Sequence, residues 1–161
     1  MTAVAFLCGV GRGADLPYGY TADVTGRSEL RINRDTGDPG TPKALRHALA
    51  SFLSALQIEP PLREDIITAV GEAIANAVEH AYGTREAGTV ELHASTDGAD
   101  ALLVDVFDRG AFIEREVREG RGLGLRIVRA IARAVSIDTE GGTRIRMVFN
   151  TEPPAGEQKP A

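Results

Sequence analysis

From Pro60 to Tyr82 the chain reads as one long helix, and no other segment constrains the fold as much. Pro60-Pro61 opens it, where proline suits the first helical turn, and Tyr82-Gly83 ends it. At about 100° per residue, Ile67, Val70, Ile74, Ala77, Val78 and Ala81 fall on one side. Glu72, Asn76, Glu79 and His80 fall on the other. Glu72 and Asn76 are one turn apart, with roughly 5–6 Å between their Cβ atoms. A carboxylate and an amide oxygen at that spacing can share one Mg²⁺ ion or its waters. The carboxylate can also take a proton from an attacking hydroxyl. A solvated helix face accounts for the same residue types, so the choice depends on the rest of the chain.

The other elements suggest a sheet that this helix covers. Residues 1–27 lie in a glycine-rich, aperiodic stretch, expected to be a loose arm or linker. A short strand is expected around Leu30 to Ile32. Thr41-Pro42 looks like an N-cap followed by proline, opening a first helix with Leu45, Ala48, Leu49, Phe52 and Leu56 on one stripe. Val90, Leu92 and Ala94 alternate as a strand, Asp97-Gly98 is a turn signal, and Ala101 to Phe107 reads as a buried strand. Residues 108–122 form a charged, glycine-bearing loop before a third helix from Leu123 to Ala134. Val135 to Thr139 and Thr143 to Phe149 are two last strands joined at Gly141-Gly142, and residues 151–161 are expected to be a disordered tail. The layout predicts an α/β two-layer sandwich over 28–150, with a mixed, mostly antiparallel sheet and helices on one face.

Composition narrows the function. A net charge of −5 is wrong for a general nucleic-acid binder, which needs basic groups to neutralise phosphates, and suits a basic protein surface. The single cysteine, Cys8, cannot form an internal disulfide, so a reducing, cytoplasmic setting is expected. The apolar run Ala3 to Cys8 is too short for a membrane span and has no basic residue before it. Three scattered histidines offer no metal-ligand spacing. His93 alternates outward from Leu92 and is expected to face solvent, and His80 borders the polar side of the long helix.

Three glycine-bearing motifs follow in order. Asp108-Arg109-Gly110 stands where the buried strand ends, where an Asp can accept from an exocyclic amino group such as that of adenine; an Asp-x-Gly turn has the same look. Gly120-Arg121-Gly122-Leu123-Gly124 opens directly into the third helix, exposing N–H groups at the positive end of its dipole, as a phosphate chain requires. It is neither a Walker loop nor a dinucleotide fingerprint. Gly141-Gly142-Thr143 is a hairpin turn, or a turn whose Thr hydroxyl reaches a ligand beside Asp108.

Taken together, Glu-x-x-x-Asn on a helix, Asp-x-Gly after a buried strand, a Gly-x-Gly-x-Gly helix start and Gly-Gly-Thr resemble the Bergerat ATP-binding fold shared by gyrase, MutL and histidine-kinase catalytic domains, over roughly residues 28–150. Glu-Ala-Ile-Ala-Asn-Ala-Val-Glu-His-Ala-Tyr and Gly-Gly-Thr-Arg-Ile-Arg-Met-Val-Phe look most like the bacterial anti-sigma factor serine-protein kinases. The resemblance implies that Glu72 is the general base, Asn76 the Mg²⁺ ligand and Asp108 the residue that holds the adenine amino group. Gly110 would give the base room, Thr143 would support it, Gly122 and Gly124 would lie against the phosphates, and Arg121 would edge the lid. It implies ATP with Mg²⁺, a sigma factor as sequestered partner, an anti-anti-sigma factor as phosphorylation substrate, and a homodimer. Neither nucleic acid nor membrane is an expected partner. Two features differ from many relatives: the box Asp-Arg-Gly-Ala-Phe lacks a second glycine, and the lid between Gly110 and Gly120 is short. They favour an alternative, a sigma-binding module in which ATP is structural or absent. A histidine-kinase reading needs a phospho-accepting histidine box, which Leu-Arg-His-Ala-Leu around His47 does not resemble.

Overall fold

A computed structural model describes residues 20–22, 28–82, 88–96, 100–109 and 123–151. Strands β1 (Tyr20–Ala22) and β2 (Ser28–Asp35) lead to helices α1 (Thr41–Ala55) and α2 (Pro60–Tyr82). Strands β3 (Thr89–Thr96) and β4 (Ala101–Asp108), helix α3 (Leu123–Ile131), and strands β5 (Ala134–Asp138) and β6 (Thr143–Asn150) follow. The strands form one six-stranded sheet in the order β1-β2-β3-β4-β6-β5. Every described pairing is antiparallel, in keeping with the mostly antiparallel sheet expected from the sequence.

One face of the sheet carries the core. Leu30 and Ile32, then Val90, Leu92 and Ala94, then Leu102, Val104 and Val106, then Ile145, Met147 and Phe149 are all buried at every second position. They meet Leu45, Leu49, Phe52 and Leu53 of α1, seven buried apolar residues of α2 from Ile66 to Val78, and Val128 of α3. Burying each large side chain there is worth about 1.5–3 kcal/mol. Helix α2 lies between α1 and α3 and also packs on the sheet. Ile66, Ala69 and Ala73 are therefore buried along with the expected stripe, and Ile67 is only partly so. The side with Glu72 and Asn76 is half-buried rather than a solvated face, because α3 packs beside it.

Several local expectations are corrected. Tyr20–Ala22, within the stretch expected to be a loose arm, pair with Ser28 to Leu30 and extend the sheet. The strand expected at Leu30 to Ile32 runs the full length of β2, because β3 offers it partners from Thr89 to Ser95. Thr41 is not the N-cap of α1: Gly40 holds that place, and the Thr41 hydroxyl donates to the Asp35 carbonyl at 2.5 Å, tying β2 to the helix. Helix α3 stops at Ile131, since the Arg133 N–H donates to the Val148 carbonyl at 2.8 Å and Ala134 already pairs with Val148. Thr151, counted with the tail, has its N–H donating to the Asp100 carbonyl at 2.8 Å. The Asp97-Gly98 turn and residues 152–161 lie outside the described residues. None of the described helices is long and apolar enough to cross a membrane.

Helix α1 ends in a Schellman motif. The Ile58 N–H donates to the Leu53 carbonyl at 3.1 Å and the Gln57 N–H to that of Ser54 at 3.0 Å. Gln57 takes φ of 58° to do this, a left-handed conformation that costs a non-glycine residue roughly 1 kcal/mol. Gln57→Gly should therefore stabilise the domain by about 0.5–1 kcal/mol, read as a raised urea midpoint at unchanged m-value.

Candidate functional site

Register places the first half of the site. Within β4 the inward positions are Leu102, Val104 and Val106, so the next in phase is Asp108, on the helix-covered face. Within β6 the inward series Ile145, Met147, Phe149 extends back to Thr143. Asp108 and Thr143 are directly opposed across the β4–β6 pairing. They are 3% and 6% exposed, so two polar side chains are buried side by side at the rim of an apolar core. The Thr143 hydroxyl is buried with no hydrogen-bond partner among the described residues. A buried hydroxyl left unpaired is costly, and it marks a place where a ligand's polar atom would be welcome.

Gly142 makes this juxtaposition possible. Its φ is 140°, and a Cβ there would stand 2.2 Å from the Asp108 carbonyl oxygen and 3.0 Å from Phe107 Cε2. Sequence reading gave Gly141-Gly142 the role of a hairpin turn, which they fill. It missed that Gly142 also lets β6 start in contact with the end of β4. The missing signal was the β4–β6 register, since α3 and β5 separate the two strands in sequence.

The second half joins two helices. Glu72 of α2 faces the first turn of α3: a Cβ on Gly124 would stand 2.7 Å from Glu72 Oε2. Asn76 lies one turn further along α2 and is likewise half-buried. The structure thus brings Glu72 to Gly124, and Asp108 to Thr143. In sequence, residues 110–122 stand between the end of β4 and the start of α3. Gly110, Gly120, Arg121 and Gly122 lie outside the described residues, as does the side chain of His80.

The opposite sheet face is separate. It carries a bidentate pair in which Arg146 Nε and a terminal nitrogen donate to the Asp105 carboxylate at 2.9 and 3.0 Å, raising the Arg146 pKa above its ordinary value. His93, expected to face solvent, is 70% covered there, its Nε2 lying 3.0 Å from Glu29 Oε1. The hydrogen bond from Arg31 is the main reason the Glu29 carboxyl lies below its usual range, with the His93 charge helping. An open concavity of about 380 Å³ beside Glu29, His93, Ser95 and Leu103 contains none of the candidate site residues.

Gly142→Ala should separate β6 from the end of β4 and weaken nucleotide binding at least tenfold, because the colliding atom is backbone and cannot rotate away. Thr143→Val keeps the shape and removes the unpaired hydroxyl. It should hold or raise thermal stability while lowering adenine-nucleotide affinity, measured by calorimetry.

The sequence matches the family described as the histidine kinase-like ATPase domain over residues 36–149. It is 32% identical to the anti-sigma F factor of Clostridium kluyveri over 66% of this chain and 84% of that protein. It is 29% identical to that of Clostridium beijerinckii over 65% and 80%. The crystal structure of the RsbU and RsbW domains of a Mycobacterium tuberculosis protein superposes with a TM-score of 0.63 at 26% identity, covering 79% of this chain but 33% of the other. The histidine kinase domain of a blue-light-activated kinase from Erythrobacter litoralis shares the fold, with a TM-score of 0.51 at 23% identity. With the family match running from the end of β2 to the end of β6, the chain belongs to the histidine kinase-like ATPase domain family, alongside the anti-sigma F factors.

Proposed function

We propose that the chain is an anti-sigma factor that sequesters a sigma factor and transfers phosphate from ATP to a serine or threonine of an anti-anti-sigma protein. The observation that carries the ATP-binding part is the buried pair Asp108 and Thr143, with the unpartnered Thr143 hydroxyl between sheet and helices. The residues fit an adenine ring: a carboxylate accepts from the exocyclic amino group, and the hydroxyl serves a ring nitrogen directly or through water. Relatives named anti-sigma F factor support the regulatory part.

In this reading Glu72 accepts the proton of the substrate hydroxyl as its oxygen bonds to the γ-phosphorus. The bond from that phosphorus to the bridging oxygen breaks, and its electron pair leaves on ADP. Asn76 would help to hold Mg²⁺, which when bound neutralises phosphate charge. Among the described residues no group of three Asp, Glu, His or Cys side chains converges on a metal position. One amide ligand beside substrate phosphates suits Mg²⁺, which keeps most of its waters. Gly110 would give the adenine room, Gly122 and Gly124 would line the phosphates, and Arg121 would edge the lid. The acidic chain, at −5, suits a basic partner surface and a cytoplasmic setting, and we place it in a homodimer. The short lid and reduced glycine box support the second reading, a sigma-binding module without transfer.

Two experiments test this. ATP should bind more tightly than GTP, since guanine presents a carbonyl to the Asp108 carboxylate and two acceptors would then face each other; equal calorimetric affinities would remove Asp108 from the adenine site. Glu72→Ala should lower transfer of labelled phosphate to a cognate anti-anti-sigma protein by about 10²–10⁴ while ATP still binds. Asn76→Ala should weaken Mg²⁺-dependent ATP binding as well as transfer. A parental transfer rate in Glu72→Ala would leave the binding module as the better account.

A further inference from the structure

Gly124 is packed against a side chain rather than open space. A Cβ built on it would stand 2.7 Å from Glu72 Oε2, 3.5 Å from Glu72 Cβ and 3.6 Å from Glu72 Cδ. The last two are ordinary contacts, whereas the first is a collision. Neither backbone can readily yield. Helix α2 is held by Ala69, Ala73 and Ile74, and α3 by Val128, all of them 0% exposed. The mobile partner is the end of the glutamate side chain, whose torsions can swing the carboxylate aside. Gly124 also lies in the first turn of α3, where the helix dipole attracts a carboxylate.

We propose that Gly124 is a positioning residue for Glu72: its missing Cβ leaves the space in which the carboxylate rests against the first turn of α3. This rests on the reading of Glu72 as the base, and it adds to Gly124 a task separate from lining phosphates. Glycine is otherwise a poor residue inside a nine-residue helix, where alanine is the better helix former. The missing Cβ serves the neighbouring helix, and substitution of the glycine acts through Glu72.

The test is a double-mutant cycle in the full chain with Gly124→Ala, Glu72→Ala and the two combined. Thermal unfolding, calorimetric ATP affinity and phosphate transfer from labelled ATP to a cognate anti-anti-sigma protein are measured for each. Gly124→Ala alone should fold and lose about 10²-fold in transfer, the scale of a misplacement near 1 Å and more than any loss of ATP affinity from its place against the phosphates. Where Glu72 is already alanine, adding Gly124→Ala should cost no further transfer. It should also raise the unfolding midpoint by about 1–4 °C, because the helix gains an alanine and nothing collides with it. With Glu72 present that gain should shrink or reverse. Equal effects of Gly124→Ala in both backgrounds, on midpoint and on transfer, overturn the proposal. So does a loss of transfer that is the same without Glu72 and no larger than the loss of ATP affinity, which would assign the glycine to the phosphates alone. A parental rate in Glu72→Ala by itself would instead reject the base, a result separable because the midpoint coupling reports on the contact and not on catalysis.

Discussion

Helix α2 is confined on three sides, by α1, by α3 and by the sheet, and most of the molecule is arranged around that confinement. Between Ile66 and Val78 the 23-residue helix leaves little surface on which polar residues are cheap to place. Glu72 and Asn76 nevertheless stand half-buried within it, at the seam with α3. Partial burial strengthens any electrostatic interaction they make and fixes their direction, both of which a proton acceptor and a metal ligand need. A freely solvated helix face would provide neither.

Much of this was readable from the residues because local pattern and global packing agree. The periodicity of α1 and α2, the alternation in β3 and the continuous apolar run of β4 each match their elements to within a residue or two. The departures occur where a distant partner decides. β1 becomes a strand only because the edge of β2 is there to pair with. Thr41 looks like a cap, but a carbonyl of the preceding strand takes its hydroxyl. Ala134 has every reason to continue a helix until β6 offers its backbone a ladder.

The same distinction separates what could be read of the site from what could not. Glu72, Asn76, Asp108, Gly124 and Thr143 were nameable from short motifs, because residue chemistry and neighbouring glycines are local facts. Thr143 could also be expected beside Asp108 at one ligand, but the geometry could not be read: Asp108 meets Thr143 across a register that α3 and β5 interrupt, and Glu72 meets Gly124 across two helices. The outer face of the sheet shows the converse. The Asp105–Arg146 pair stands directly opposed across strands, and nothing in either strand alone announced it.

The β5–β6 hairpin carries one more implication. Gly142 touches the end of β4 at one fixed distance, and every inward side chain of β6 is counted from it. Because strand side chains alternate, a one-residue slip of β6 against β4 would turn Ile145, Met147 and Phe149 outward and Arg144 and Arg146 into the core. Thr143 would leave Asp108 at the same stroke. The composition of this corner is bound as well: Gly142 has no room for a Cβ, and Gly141, though open space surrounds it, takes a φ of 72° that favours glycine. A slip in register is thus a more severe lesion than most single substitutions, because it inverts a whole strand at once and parts two buried polar side chains with it.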